Sequence, residues 1–175
     1  MEKTVTTILI VLILILIGCS KQENRSPHVS LHVAALQGNI DEIHSHIQAG
    51  SDLNEKDEYG STPLIVAITF GKTDVAKALI KSGADITITN NEGSTPLHIA
   101  AFLCRTEIVK TLLAKGVDKS VKNNVGNTAL DSVAVPFENV KGIYDQLREG
   151  LGPLGFRLDY DRIKETRPKI AEMLR

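Results

Sequence analysis

Two series of short motifs recur along this chain with the same 33-residue spacing. The motif Gly-Ser-Thr-Pro-Leu begins at Gly60 and again at Gly93, and the related Gly-Asn-Thr-Ala-Leu begins at Gly126. A second series has the same spacing, with an aspartate two positions after each glycine, and consists of Gly50, Gly83 and Gly116. Two interleaved series with one period indicate a repeated structural unit.

Each unit has the pattern of a short helix pair. Thr62-Pro63 and Thr95-Pro96 suit helix starts, because a threonine hydroxyl can cap a free amide and proline fits the first turn. Alanines after these starts allow neighbouring helices to approach closely. A second apolar stripe follows, in the third unit at Ile108, Val109, Leu112 and Leu113. Such a pair cannot bury its apolar face alone, so the units must stack.

The segment Thr95-Pro96-Leu97-His98-Ile99-Ala100 resembles the ankyrin repeat signature. The resemblance covers residues 28–135 and implies an all-α solenoid of about four helix-turn-helix repeats with β-hairpin fingers at 54–57 and 89–92. The first repeat, near Val29, lacks Thr-Pro, as expected of a terminal capping repeat. Proteins of this family bind other proteins, so the resemblance implies a non-enzymatic scaffold, adaptor or inhibitor whose partner is another protein.

Residues 136–175 depart from the repeat pattern at Pro136, and we expect a C-terminal helical cap there. A helix is predicted over 137–147, a loop over 150–155, and a charged, irregular or briefly helical stretch over 157–167. Pro168 suits the start of a last helix. The pattern leaves open which of the two helices takes the outer position of the fourth repeat.

The N-terminus has the features of a targeting segment. Ile8 to Ile17 is an unbroken apolar run that reaches only about half of a ~30 Å hydrocarbon core. Gly18-Cys19-Ser20 ends it, which resembles a bacterial lipobox. The resemblance implies a lipoprotein signal peptide over 1–18, a lipidated Cys19 and a flexible tether over 19–27. It also implies a lipid-anchored protein of the bacterial cell envelope, at the outer membrane facing the periplasm. Alternatives are a plain signal peptide or an uncleaved anchor.

The repeat frame also predicts which residues contact a partner, namely the variable positions of the fingers and inner helices. These are Tyr59, Ser61, Thr69, Phe70, Glu92, Ser94, Phe102, Leu103, Val125 and Asn127. Phe70 and Phe102 lie 32 residues apart, one short of the period, so we expect them to be near neighbours on adjacent units. They either anchor a partner or fill gaps in the stack.

The sequence predicts no catalytic residue, no metal site and no cofactor. His32 and His98 occupy the histidine position of the motif, where the resemblance implies hydrogen bonds between units. His44 and His46 are two apart on a helix and so point to different faces. Cys104 replaces the glycine of earlier repeats, as a strained small residue or as a reactive thiol. A formal net charge of −1 gives no indication of nucleic acid binding.

Two other functions remain open at this point. In the first, the C-terminal extension and Cys104 form a site for a ligand or a redox partner, which clustered titratable groups would favour. The residues concerned are Tyr144, Asp159, Tyr160 and Arg162. In the second, the chain is a secreted effector that binds host proteins, although a lipobox predicts retention.

Overall fold

The computed structural model describes residues 27–175. The predicted signal peptide, the lipidated Cys19 and all but the last residue of the tether lie outside the described residues. Within this range the chain forms nine α-helices and one 3-10 turn. They are α1 (Leu31–Gln37), α2 (Ile40–Gln48), α3 (Pro63–Thr69), α4 (Thr73–Lys81), α5 (Pro96–Phe102), α6 (Thr106–Ala114), α7 (Ala129–Ala134), α8 (Phe137–Leu151), the 3-10 turn (Gly152–Leu154) and α9 (Tyr160–Leu174).

The inner helices are α1, α3, α5 and α7, and α3 and α5 begin at the threonines that the repeat pattern predicts. Thr62 accepts a hydrogen bond from the amide of Ile65 at 3.4 Å, and Thr95 accepts one from His98 at 3.4 Å. Pro63 and Pro96 occupy the first turns, where a proline costs no hydrogen bond. The predicted helix starts are therefore confirmed.

The helices stack in two rows, as the solenoid requires. α1 packs on α3, α3 on α5 and α5 on α7, while α2, α4 and α6 form the outer row. The alanines at the contacts are completely buried, including Ala67, Ala100 and Ala101. Their small side chains bring successive units close together, and the all-α repeat architecture is confirmed. No helix among residues 27–175 is long and apolar enough to cross a bilayer.

The fingers are stacked tight turns. The amides of Asp57, Asn90 and Asn123 donate to the carbonyls four residues later at 3.0, 3.1 and 2.9 Å. Each turn also bonds to the next, because the amide of Asn91 donates to the Tyr59 carbonyl at 3.0 Å. No strand occurs in the described residues. The β-hairpin fingers expected at 54–57 and 89–92 are therefore tight turns, which lie at 57–61 and 90–94.

The last helix takes the outer position of the fourth repeat. α9 packs against α7, α5 and α6, and it begins at Tyr160 where Asp159 accepts a hydrogen bond from the amide of Arg162 at 3.0 Å. The expectation of an irregular charged stretch, with a helix starting at Pro168, was wrong. A buried stripe crosses the helix at Ile163, Arg167, Ile170, Ala171 and Leu174. Its burial outweighs the ~3 kcal/mol cost of an interior proline.

Side chains from later units close the carboxyl ends of the inner helices. Arg105 donates to the carbonyls of Ile68 and Thr69, at 3.1 and 2.8 Å, at the end of α3. At the end of α5, the Tyr144 hydroxyl donates to the Phe102 carbonyl at 2.5 Å. Helix carbonyls without partners are costly when buried, so these donors stabilise the stack.

The fourth unit is closed by a buried arginine. Arg167 donates to the Tyr144 hydroxyl at 2.8 Å and to the carbonyls of Ser132 and Val135 at 3.0 and 2.9 Å. Burial raises the pKa of Tyr144 to about 12, so its hydroxyl stays protonated and can donate. Tyr144 and Arg167 therefore join α8 and α9 to the ends of α5 and α7.

Replacing Tyr144 with Phe tests this cap. The variant leaves the Phe102 carbonyl and the Arg167 guanidinium without the shared hydroxyl, so we expect a loss of about 1.5–3 kcal/mol of unfolding free energy. Urea unfolding followed by circular dichroism measures it. Tyr59→Phe is the matched control, because the Tyr59 side chain is 66% exposed and makes no hydrogen bond. Equal stability of both variants would contradict the role of the cap.

A candidate protein-binding groove

A groove of about 1150 Å³ lies at the C-terminal end of the stack. Its walls are the last two finger turns, the inner helices α5 and α7, and α8. We call it the terminal groove and define it by its lining residues, Asn91, Glu92, Ser94, His98, Ile99, Phe102, Asn123, Asn124, Val125, Asn127, Asp131, Ser132, Ala134, Val135, Pro136, Asn139, Val140 and Ile143.

Several apolar side chains are exposed to solvent in the terminal groove. Val125 is 77% exposed, Ile143 48% and Val135 39%. Phe102 is half-buried on the groove floor, and its ring stacks on Tyr144 with centroids 4.5 Å apart. Contiguous exposed apolar residues with a polar rim are typical of interaction sites.

The charged side chains of the groove lining are all acidic. They are Glu92 and Asp131, and no lysine or arginine lines the groove. Hydrogen bonds from the backbone and hydroxyl of Thr128, at 2.8 and 2.7 Å, lower the pKa of Asp131. Asp131 therefore remains ionised. The side-chain amides of Asn127 and Asn139 make no hydrogen bond within the described chain, so they can bind another molecule.

His98 fixes the two finger units of the groove relative to each other. Its Nε2 donates to the Asn127 carbonyl at 3.0 Å, and the Thr95 hydroxyl lies 2.8 Å from Nδ1. Burial lowers the pKa of His98, so the ring is neutral. His32 makes the equivalent bond to the Ser61 carbonyl at 3.0 Å. The predicted hydrogen bonds between units are confirmed.

Half of the ten predicted contact residues line the terminal groove. They are Glu92, Ser94, Phe102, Val125 and Asn127. Tyr59 lies exposed on the preceding turn, outside the groove. The Ser61 carbonyl accepts the bond from His32, and the Thr69 hydroxyl donates to the Ile65 carbonyl at 2.9 Å, so both residues have a structural function.

The remaining two predicted contacts lie outside the terminal groove and pack beside the C-terminal tail. Leu103 is only 4% exposed and lies outside the groove, so it cannot contact a partner. Phe70 is half-buried and packs edge-on against Phe156, with ring centroids 6.1 Å apart. Phe70 and Phe102 therefore do not form one exposed patch, since each packs against a different aromatic ring of the tail.

Three residues of α8 line the terminal groove although the repeat frame does not predict them as contacts. Asn139, Val140 and Ile143 lie within the helix that the sequence predicts over 137–147. The groove wall arises because α8 presents Ile143 to solvent while Tyr144 is completely buried. Helical periodicity placed these residues on a helix, but it gives no information about how α8 lies against the repeats.

The described residues contain no group of three or more side chains that could hold a metal ion. His44 is exposed, whereas His46 is buried and bonds to Ser51 Oγ at 2.9 Å and to the Val29 carbonyl at 2.8 Å. The two rings thus point to different faces, as the sequence predicts.

Cys104 is a buried residue with a left-handed backbone. Its φ of +56° matches the glycine conformations at Gly38 and Gly71, as the repeat alignment predicts. The side chain is 2% exposed, and burial raises the pKa of the thiol to about 11. A protonated, shielded thiol is a poor nucleophile. Tyr144 is also buried, and burial raises its pKa to about 12, so neither Cys104 nor Tyr144 presents an ionised, exposed group.

These features together define a protein built of stacked helix-pair repeats. They are the capped helix starts, the finger turns and the histidine hydrogen bonds between units. A family model described as ankyrin repeats (three copies) matches residues 31–123. The chain therefore belongs to the ankyrin repeat family. A search of curated proteins gave no match. Ankyrin repeats generally mediate binding to other proteins and are generally non-enzymatic.

Replacing His98 with Ile, the residue that repeat two carries at this position, gives a pH test. Well above about pH 6.5 the ring is neutral in both the folded and unfolded states. As the pH falls, the unfolded chain takes up a proton that the folded chain excludes, so stability decreases.

At about pH 7.5 we expect the wild type to be more stable than His98→Ile by about 1 kcal/mol, the value of one hydrogen bond. This advantage should narrow towards about pH 5, because only the wild type carries the unfavourable protonation. Urea unfolding at each pH measures it. Parallel pH profiles of the two proteins would contradict the assigned protonation state.

Proposed function

We propose that this protein binds a segment of a partner protein in the terminal groove and acts as a non-enzymatic scaffold, adaptor or inhibitor. The observation that carries the proposal is the exposure of Val125, Val135 and Ile143 around one groove. α8 closes one side of it, so a bound segment would contact walls on two sides. Burying such side chains on association is favourable by about 25 cal/mol per Å² before ordering costs.

The lining also restricts the chemistry of the bound segment. Its apolar floor favours a segment with apolar side chains. Glu92 and Asp131 favour a neighbouring lysine or arginine, because complementary charge sets specificity and association rate. Asn127 and Asn139 can bond to the partner's polypeptide backbone. We therefore propose a peptide segment that combines apolar and basic residues.

We further propose that the protein is attached to a membrane through a lipidated Cys19 in the bacterial cell envelope, at the outer membrane facing the periplasm. The lipobox-like end of the apolar run supports this proposal. The tether up to Pro27 leads into repeat one, whereas the terminal groove lies at repeats three and four. An anchored protein would therefore hold its groove away from the attachment point.

The groove proposal is tested with Ile143→Glu, which places an acidic group in the apolar wall. Full-length protein in detergent is used to select binders from a random peptide library, and affinities are measured by fluorescence anisotropy. We expect selected peptides rich in apolar and basic residues, with affinity at least about tenfold lower for Ile143→Glu.

Leu154→Glu is the matched control, because Leu154 is 55% exposed on the tail and lies outside the terminal groove. This variant should bind the selected peptides like the wild type. The same affinity loss in both variants would contradict the proposed site. Selection of acidic peptides would contradict the charge argument.

The anchor is tested with Cys19→Ser. Without the thiol no acyl chain can be attached, and a protein without acyl chains loses the ~0.8 kcal/mol of membrane affinity per buried CH₂. We expect the variant to move from the membrane fraction to the soluble fraction with unchanged helical content by circular dichroism. Cys104→Ser is the control and should stay in the membrane fraction. Membrane retention of Cys19→Ser, or wild-type protein in the culture medium, would contradict the anchor.

A further inference from the structure

A second, smaller cavity of about 280 Å³ lies outside the terminal groove. It is located between the turn that joins α5 to α6 and the segment that enters α9. Arg105, Arg157 and Arg162 line it, together with Asp159 and Cys104. We call it the basic cavity. Arg157 and Arg162 are exposed at its mouth, whereas Arg105 is half-buried, and three arginines beside one small cavity need a physical explanation.

None of the three arginines forms a salt bridge within the described chain. Arg105 uses Nε and Nη2 for the α3 carbonyls, and its Nη1 makes no hydrogen bond. Arg157 uses only Nη1, which donates to the carbonyls of Gly152 and Phe156. Among residues 27–175 the Arg162 guanidinium makes no hydrogen bond to a protein acceptor, and only the Arg162 backbone amide donates one. Each arginine therefore keeps at least one donor nitrogen free.

The one carboxylate of the cavity does not balance these charges. Asp159 Oδ1 accepts a hydrogen bond from the backbone amide of Arg162 at 3.0 Å, which caps α9. One aspartate against three arginines leaves an excess of positive charge. Burial, and then the charge of Arg162, lower the pKa of Arg105. The cavity thus brings like charges together, and Asp159 can offset only one of them.

We propose that the basic cavity binds a small oxyanion of the phosphate or carboxylate class. Guanidinium groups form short, paired hydrogen bonds with such anions. The cavity suits a small group, and the Cys104 thiol adds no negative charge because it is protonated. A bound anion would also offset the repulsion between Arg105 and Arg162. This site is independent of peptide binding in the terminal groove.

Calorimetric titration of the full-length protein in detergent with inorganic phosphate, at constant ionic strength, tests the site. We expect saturable binding that Arg162→Gln weakens by about tenfold, the value of one charge-assisted contact. Lys169→Gln is the matched control, since Lys169 is exposed on the same helix but does not line the cavity. It should bind within about twofold of the wild type.

Thermal unfolding gives a second readout. Phosphate should raise the melting temperatures of the wild type and of Lys169→Gln, because a ligand stabilises the form that binds it. The increase should be much smaller for Arg162→Gln. Arg157→Gln provides a second variant with the same expectation. Non-saturable heats, or equal weakening in the Arg162 and Lys169 variants, would overturn the proposal.

Acetate and glycerol 3-phosphate identify the source of the anion. Tighter binding of acetate than of phosphate would support a carboxylate ligand. Tighter binding of glycerol 3-phosphate than of inorganic phosphate would support a lipid headgroup as the ligand. Tighter binding of inorganic phosphate would support a free anion. Failure of all three anions to bind would overturn the oxyanion site while leaving the peptide proposal unaffected.

Discussion

The carboxyl ends of the short inner helices require donors from the next unit along the chain. An inner helix of two turns leaves a large share of its carbonyls without partners inside the helix. Arg105 supplies the donors for α3 and lies so close to the preceding turn that a Cβ at Gly71 would approach its Cζ to 3.0 Å. Glycine at this turn thus makes room for the next unit's side chain. At Cys104 the tail takes the place of the next unit, and the thiol lies 3.8 Å from the Ile163 carbonyl of α9.

Beyond the third repeat the stack has no regular unit to supply these donors, so the tail supplies them. Tyr144 and Arg167 bond to the ends of α5 and α7 from two different helices. This requirement holds α8 beside the inner helices, where Phe102 stacks on Tyr144. The terminal groove follows from the same contact, because Ile143 is next to the buried Tyr144 and faces solvent. Closing the stack and forming the groove are therefore consequences of one helix position.

The sequence was sufficient for features that depend on local contacts at the repeat period. Thr95 and His98 determine a helix start and a bond to the next finger, and both recur through the motif. The tail was harder to predict, because the buried stripe of α9 includes Arg167, a residue type that is nearly always exposed. Local signals at Pro168 favoured a helix start, but burial of Ile170 and its neighbours decided the structure. Phe70 packs against Phe156 instead of joining Phe102 in one patch, and no periodic pattern links Phe70 to Phe156.

The two candidate sites arise where the tail meets the third repeat, and their charges differ in sign. The groove lining carries Glu92 and Asp131, whereas the basic cavity carries an excess of arginines. Both sites require α8 and α9 to pack against the repeats. The two helices are coupled because Arg167 donates a hydrogen bond to the Tyr144 hydroxyl. A ligand that shifts α8 would thus disturb the cap of α5. We therefore expect specific ligand binding at the 40 tail residues and at the repeat that they cover. The remaining repeats support these residues and hold them in position.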